Sequence, residues 1–280
     1  MTLIAAYSYE LYRTVFVSDF RTTDQSLTFR SDNAFKFVPI GSNAGLFLAG
    51  NVSGWNMIFE KESLRLKGIK AENFIEEFLN ILREYAISST PILDNGKRLS
   101  ALGFVIETSK NTNKTFYIDY IQGNGAILNE LEKNQVYLLG SGADIEGLEK
   151  HLNTALFNYI SDLKRPSRQK EPYIVASTFE GFISTYIENL KDSSIYERKG
   201  ISNVFSYGYI DQCFFEICSY TEEKFKKHGK APERFSYTKN EDDDIVLMDE
   251  TKEVVSKLFS LDKINLDKPI KMNPFNREDS

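Results

Sequence analysis

The sequence TLIAAYSYELYRTVFVSDFRTT (residues 2–23) contains two segments rich in apolar, aromatic and β-branched residues. Such segments are typical of β-strands, and their spacing predicts a tight turn between them near Tyr9 and Glu10. An apolar run that starts at the second residue is unusual, because the ends of a chain are rarely tied into the fold. The stretch therefore predicts a hairpin whose first strand lies in the core, directly after Thr2.

Similar segments further along the chain predict strands and helices that come in groups. In order, they are strands at residues 2–8, 11–19, 35–41 and 44–50, helices at 53–67 and 71–87, strands at 99–108, 114–121 and 135–142, helices at 144–163 and 176–191, and strands at 203–210 and 213–220. Grouped strands disfavour a doubly wound parallel sheet, in which single strands alternate with helices. The order predicts an α+β fold of two antiparallel sheets packed face to face, with a helix pair outside each.

The last 60 residues differ in character from those before them. They include the acidic run KNEDDDIVLMDE (residues 239–250) and end in polar residues. The sequence therefore predicts a domain over residues 1–220 and a C-terminal extension over residues 221–280. The acidic run lacks the glycine and the spacing of an EF-hand loop, which favours a solvated charged segment over a metal site.

Composition excludes several classes of function. The chain has 280 residues, 41% hydrophobic and 26% charged, which is the usual balance of a globular protein. A formal net charge of −6 gives no basic footprint for nucleic acid. No apolar run reaches the roughly 18 residues of a membrane span. The N-terminal residues also lack the pattern of a secretory signal, so we expect a cytoplasmic protein that binds neither nucleic acid nor membranes.

Cysteine and histidine are both scarce. Cys213 and Cys218 are the only cysteines, and their odd spacing in a predicted strand points them to opposite faces as free thiols. His151 and His228 are the only histidines, so zinc sites and histidine-activated nucleophiles have few possible members. Both histidines are interpreted as structural, one within a predicted helix and one near a helix end. A hydrolase built on this sequence would use another base.

Thr2, Asp19 and Lys36 could together supply such chemistry. Removal of Met1 would make Thr2 the first residue, joining a nucleophilic hydroxyl to an α-amine with an ordinary pKa of about 7.7–8.0. Asp19 ends the second predicted strand, and Lys36 lies in the third. A lysine that faces inward is rarely buried unless it is paired, and Asp19 could be its partner. If these strands lie side by side, the three residues could meet at one end of the sheet.

From Thr2 to about Ile69, and more loosely to Tyr220, the chain resembles proteasome β subunits and their bacterial relatives. The segments that carry the resemblance are TLIAAY (residues 2–7), VSDFRTT (17–23), FKFVPI (35–40), LFLAGNVSG (46–54) and LLGSG (138–142). The resemblance implies the four-layer αββα sandwich of the amino-terminal-nucleophile (Ntn) hydrolases. The order of predicted elements favours the same arrangement.

The resemblance also implies a role for each matching residue. It makes Thr2 the nucleophile of a threonine peptidase or amide hydrolase, with Asp19 and Lys36 as its activating pair. Gly50 would offer its N–H to the oxyanion, and Ser141 would bind near the Thr2 amine. The substrate-binding residues that it implies are Thr22 and Thr23, beside an extended substrate strand, and Ala34, Val38, Leu48 and Val52, around an apolar side chain.

Such subunits work without a cofactor or a metal, and they assemble into rings that enclose their sites. The resemblance therefore implies a homo-oligomeric ring that acts on peptide or protein substrates. The sequence contains no G-x-x-x-x-G-K-[ST] loop, so any ATP-dependent unfoldase would be a separate chain.

The sequence departs from the family pattern at several positions. Leu3 follows Thr2 where many β subunits carry a second threonine, and Asn51 stands where a second glycine is common. The family also has an aspartate three residues before Ser-Gly-Gly. The corresponding segment, KDSSIYERKGISN (residues 191–203), lacks that spacing, although it contains Asp192, Ser193, Gly200 and Ser202. We interpret this segment as structural.

Two alternatives remain open at this point. The chain could be a non-catalytic assembly or binding subunit on the same fold, which a retained Met1 would favour. The segment VYLLGSGADIEG (residues 136–147) could also bind phosphate, as a strand, glycine turn and helix can. Ile145 replaces the third glycine of G-x-G-x-x-G, so a tight turn into a helix is favoured.

Overall fold

The computed structural model describes residues 2–23, 30–31, 36–40, 43–163, 171–190, 192, 194–203, 205–220, 234–239, 245–248 and 254–257. The strands are β1 (Ile4–Glu10), β2 (Arg13–Asp19), β3 (Thr22–Thr23), β4 (Arg30–Ser31), β5 (Phe37–Ile40), β6 (Ala44–Gly50), β7 (Arg98–Glu107), β8 (Thr112–Ile121), β9 (Gly125–Glu130), β10 (Gln135–Leu139), β11 (Phe205–Asp211), β12 (Phe214–Tyr220), β13 (Arg234–Lys239), β14 (Ile245–Met248) and β15 (Val254–Lys257). The α-helices are α1 (Val52–Gly68), α2 (Phe74–Ala86), α3 (Leu148–Asp162), α4 (Glu171–Asn189) and α5 (Ile195–Lys199).

The strands form two large antiparallel sheets and one short pair. Sheet 1 has the order β10-β1-β2-β11-β12-β13-β14-β15, and sheet 2 has the order β5-β6-β7-β8-β9. The strands β3 and β4 pair with each other. The predicted α+β class with two antiparallel sheets is therefore confirmed.

Three groups of buried apolar side chains hold these elements together. One group packs β1, β2, β11 and β12 of sheet 1 against β5, β6 and β7 of sheet 2, with Phe16, Phe47 and Phe104 among its members. A second packs the other side chains of sheet 2 against α1 and α2, and a third packs those of sheet 1 against α3 and α4. Sheet 2 and the part of sheet 1 formed by β1, β2 and β11 thus bury both faces, which is compatible with a sandwich. Along the described chain, none of the helices has the length and apolarity needed to cross a bilayer.

Two turns lie further along the chain than the sequence predicts. The first hairpin turns at Leu11 and Tyr12, not near Tyr9 and Glu10, because a register shift between Ser8 and Glu10 lets β1 continue. Tyr12, the second residue of this loop, takes the left-handed conformation, with φ 64°.

The second misplaced turn changes the prediction for the cysteines. Asp211 pairs directly with Phe214, so Gln212 and Cys213 form a two-residue turn. Cys213 therefore lies before β12 and not in a strand with Cys218.

Several elements extend beyond the prediction. The helix α4 begins at Glu171, before the expected residue 176, because Pro172 suits a first helical turn and an acidic side chain suits its dipole. The strand β9 was not among the predicted strands. In it, buried Ala126 and Leu128 alternate with exposed Ile127. The short strands β3 and β4 and the helix α5 are additional elements. In the region predicted as an extension, β13 pairs with β12, so sheet 1 continues past residue 220.

Candidate active site

Asp19 stands at the centre of a buried cluster at the end of β2. It is 1% exposed, and its carboxylate accepts at least five hydrogen bonds. Its Oδ1 accepts from the Thr2 hydroxyl at 2.7 Å, from the Leu3 N–H at 2.8 Å and from the Lys36 ammonium. An ionised carboxylate can accept hydrogen bonds but cannot donate them, and all these groups can donate. The arrangement therefore suits a charged Asp19.

Strand pairing brings these residues together from distant parts of the chain. The strands β1 and β2 form a hairpin, and the Asp19 N–H donates to the Leu3 carbonyl at 2.9 Å. On the other side, β11 pairs with β2 so that Phe205 lies opposite Asp19. Lys36 lies just before β5 of sheet 2, and its carbonyl accepts from the Leu48 N–H of β6 at 2.9 Å. The cluster thus lies where an end of β2 meets the first strands of sheet 2.

Lys36 and Asp19 form a buried ion pair. The Lys36 side chain is 3% exposed and its ammonium contacts Asp19 Oδ1. Removing two charges from water costs several kcal/mol per ion, so such a pair persists only when further hydrogen bonds compensate. Here the N–H groups of Arg21 and Ser202 each donate to Asp19 Oδ2 at 3.1 Å. Because the Thr2 hydroxyl shares Oδ1 with the ammonium, a positive charge lies beside that hydroxyl.

Ser141 contacts Thr2 at its backbone nitrogen, whereas Asp19 binds its hydroxyl. The Thr2 nitrogen, a peptide nitrogen while Met1 is attached, donates to Ser141 Oγ at 3.2 Å. The same atom becomes the α-amine once Met1 is removed. Gly142 N–H donates to the Thr2 carbonyl at 3.1 Å, so the turn after β10 holds the threonine at two points. Gly140 has φ +82°, and a Cβ there would come within 2.2 Å of the Thr2 carbonyl oxygen, which explains the glycine.

Gly50 ends β6, two residues beyond the point where Leu48 pairs with Lys36. Its φ of +91° favours a glycine, and a Cβ at this position would lie only 2.8 Å from the Arg98 carbonyl oxygen. Asn51 follows it and caps α1, since its side-chain oxygen accepts from the Gly54 N–H at 2.9 Å. An asparagine thus satisfies a helix end where the family often has a second glycine.

The predicted substrate-binding residues are only partly described. Val38 and Leu48 are buried in the apolar group that joins sheet 2 to α1 and α2. Thr22 and Thr23 form β3, where they pair with Ser31 and Arg30 of β4. Val52 begins α1, and Ala34 lies outside the described residues. The apolar pocket therefore stays a prediction.

Ser202 belongs to the cluster, although the sequence analysis interpreted its segment as structural. Its N–H binds Asp19 Oδ2, and its hydroxyl accepts from the Phe20 N–H at 3.0 Å. The signal that could have found it is its place just before β11, the strand that pairs with β2. Asp192 lies in a different cluster, where its carboxylate binds Ser194 and Arg198.

Other groups with possible chemistry lie apart from this cluster. His151 packs against Tyr186 between α3 and α4, with ring centroids 4.7 Å apart and the rings tilted by 35°. His228 lies outside the described residues. Within the described ranges, no group of three or more histidine, cysteine, aspartate or glutamate side chains could hold a metal ion.

Comparison with known proteins adds no family assignment. The sequence matches no model of a protein family, and no curated protein is significantly similar to it. The candidate site therefore rests on its own geometry.

Proposed function

We propose that this chain is a proteasome-like threonine peptidase or amide hydrolase that uses Thr2 as its N-terminal nucleophile after Met1 is removed. The observation that carries the proposal is the 2.7 Å contact between Thr2 Oγ and Asp19 Oδ1, an oxygen that the buried Lys36 also binds. Two antiparallel sheets with helices packed on them support the Ntn-hydrolase sandwich as its fold.

The proposed reaction begins with the attack of Thr2 Oγ on a carbonyl carbon. As the O–C bond forms, the hydroxyl proton passes through a water molecule to the α-amine of Thr2, which acts as the base. The ammonium of Lys36 stabilises the negative charge that develops on Oγ, and Asp19 holds both groups in place. The carbonyl π electrons move to oxygen, where the N–H of Gly50 would donate a hydrogen bond to the oxyanion.

Collapse of the tetrahedral intermediate breaks the C–N bond. The leaving amine takes the proton back from the Thr2 ammonium, and the acyl group stays on Thr2 as an ester. A water molecule then attacks the ester carbon while the free α-amine accepts its proton. The bond between that carbon and Thr2 Oγ breaks, and Oγ takes the proton from the ammonium, which releases the acid and restores Thr2. Ser141, 3.2 Å from the Thr2 nitrogen, would orient the amine in both halves of the reaction.

The remaining parts of the proposal follow from the resemblance. They are a homo-oligomeric ring, peptide or protein substrates, a cytoplasmic location and, where folded proteins are degraded, a separate ATP-dependent unfoldase. None of them requires a cofactor.

Hydrolysis of short fluorogenic peptide amides tests the proposal. We expect release of the fluorophore that is linear with enzyme concentration and is blocked by a peptide epoxyketone. Peptides with an apolar residue before the scissile bond and peptides with a charged residue there form matched series. If protein whose Met1 is removed, as shown by its mass, releases no fluorophore from either series, the hydrolase proposal is contradicted and a non-catalytic binding subunit is favoured.

A further inference from the structure

The short helix α5 reaches the candidate site from outside through its last residue, Lys199. The backbone carbonyl of Lys199 accepts a hydrogen bond from the Ser141 hydroxyl. Its ammonium donates to the Asp144 carbonyl at 3.0 Å. Ser141 and Asp144 are the first and last residues of a single 3₁₀ turn, so Lys199 binds both ends of it.

This contact orients the Ser141 hydroxyl. A serine hydroxyl has one proton to donate, and of its two acceptors, the Lys199 carbonyl and the Thr2 carbonyl at 3.4 Å, the Lys199 carbonyl is the nearer. The lone pairs of Ser141 Oγ are then available to the Thr2 nitrogen, 3.2 Å away. When a nitrogen donates one of its hydrogens to a fixed acceptor, the direction of its lone pair is restricted. General base catalysis depends on that direction.

The helix α5 is itself fixed at its beginning by a surface cluster, which we call the Asp192 clasp. The clasp consists of Asp192, Ser194 and Arg198. Asp192 Oδ1 accepts from the Ser194 N–H at 3.0 Å and from the Ser194 hydroxyl at 2.7 Å. The Arg198 guanidinium binds Asp192 Oδ2 and donates through Nε to Ser194 Oγ at 3.2 Å.

The end of α5 also leads directly to the Asp19 side of the site. Gly200 ends the helix in the left-handed conformation, with φ 59°, and Ser202 follows two residues later. Ser202 holds Asp19 through its N–H. The clasp, α5 and Lys199 thus connect to Ser141 on one side of Thr2 and to Asp19 on the other.

We infer that Lys199 is a positioning residue for the Thr2 amine, acting through Ser141 and the 3₁₀ turn. The inference rests on the proposed function. The described contacts of Lys199 include neither Thr2 nor a residue that the resemblance assigns to substrate binding, so its loss should slow the chemical step and leave substrate binding unchanged. The hydrogen bond from its ammonium lies at the surface. Its loss should therefore lower the free energy of unfolding little, while it slows the reaction.

The test is the reaction of the full chain with a peptide epoxyketone, with the maximal inactivation rate (kinact) separated from the binding constant (KI). Lys199→Met keeps the backbone carbonyl that binds Ser141 and removes only the bond from the ammonium to the Asp144 carbonyl, which holds the far end of the 3₁₀ turn. We expect kinact to fall about tenfold with KI unchanged, because small misplacements of a reacting group cost rate and not affinity. Lys199→Arg, which keeps a cation able to reach the Asp144 carbonyl, should recover most of the rate. Lys150→Met, at an exposed lysine of α3, is the matched control and should react like the wild type.

Asp192→Asn provides an independent second variant, because it loosens α5 at the clasp and leaves Lys199 unchanged. It should lower kinact in the same direction, again with KI constant. If Lys199→Met reacts at the wild-type rate, the positioning role of Lys199 is overturned, whatever the rate of Asp192→Asn, while the proposed function stands. If the wild type itself forms no adduct, the proposed function fails, and the inference fails with it.

Discussion

Replacing Thr2 with alanine should abolish amide hydrolysis and leave the fold intact. Thr2 Oγ is the atom that would attack the substrate, and no other hydroxyl among the described contacts binds Asp19 Oδ1. Asp19 would keep its hydrogen bonds from Leu3, Lys36, Arg21 and Ser202. The lost hydrogen bond should therefore cost only about 1 kcal/mol of unfolding free energy. Fluorophore release and denaturant unfolding measure the two effects separately.

Two controls distinguish chemistry from stability. Thr2→Ser keeps the hydroxyl and should retain measurable activity. Thr14→Ala removes another buried threonine hydroxyl, which contacts the Thr115 hydroxyl at 3.1 Å in the core. It should cost similar stability without loss of rate. Wild-type hydrolysis by Thr2→Ala would show that another residue is the nucleophile.

Replacing Asp19 with alanine should cost both activity and about 3–5 kcal/mol of unfolding free energy, the range measured when a buried ion pair loses one partner. The carboxylate is buried, pairs with Lys36 just before β5, and accepts hydrogen bonds from Leu3, just before β1, and from the loop before β11. Its removal takes the counter-charge from a lysine that is 3% exposed and leaves buried N–H groups without this acceptor. Denaturant unfolding measures the loss.

The double variant Asp19→Ala/Lys36→Met separates charge from hydrogen bonding. Methionine has a similar length and no charge, so the double variant should be more stable than Asp19→Ala alone and equally inactive. Equal stability of the two variants would mean that the buried charge of Lys36 contributes little. An Asp19→Ala protein as stable as the wild type would contradict the buried pair itself.

The sequence predicted much of the fold because strand alternation and helical periodicity are local signals. The hairpin of β1 and β2 and the helices α1 and α2 follow from residues that are neighbours in the chain. Thr2, Asp19 and Lys36 were singled out from the residues themselves and Ser141 through the family resemblance, and the structure brings them into contact. Their contacts depend on which strands lie side by side, which periodicity alone does not specify.

The features that sequence reasoning missed depend on distant contacts. The helix α5 has five residues, too few for a periodic pattern, and it is fixed by the clasp between Asp192 and Arg198. Ser202 reaches Asp19 across 183 positions of the chain, through the pairing of β11 with β2. The family spacing did not reveal it, because here the hydrogen bond comes from a backbone N–H, which any residue type could supply.

The intact mass of the purified chain, before and after treatment with a peptide epoxyketone, tests the central claim most directly. An epoxyketone can bond to a hydroxyl and to an adjacent amine, and a free N-terminal threonine has both. The account predicts loss of Met1 and a single adduct that peptide mapping places on Thr2. Retention of Met1 with no adduct on Thr2 would contradict the account and mean that the buried N-terminal strand serves structure alone.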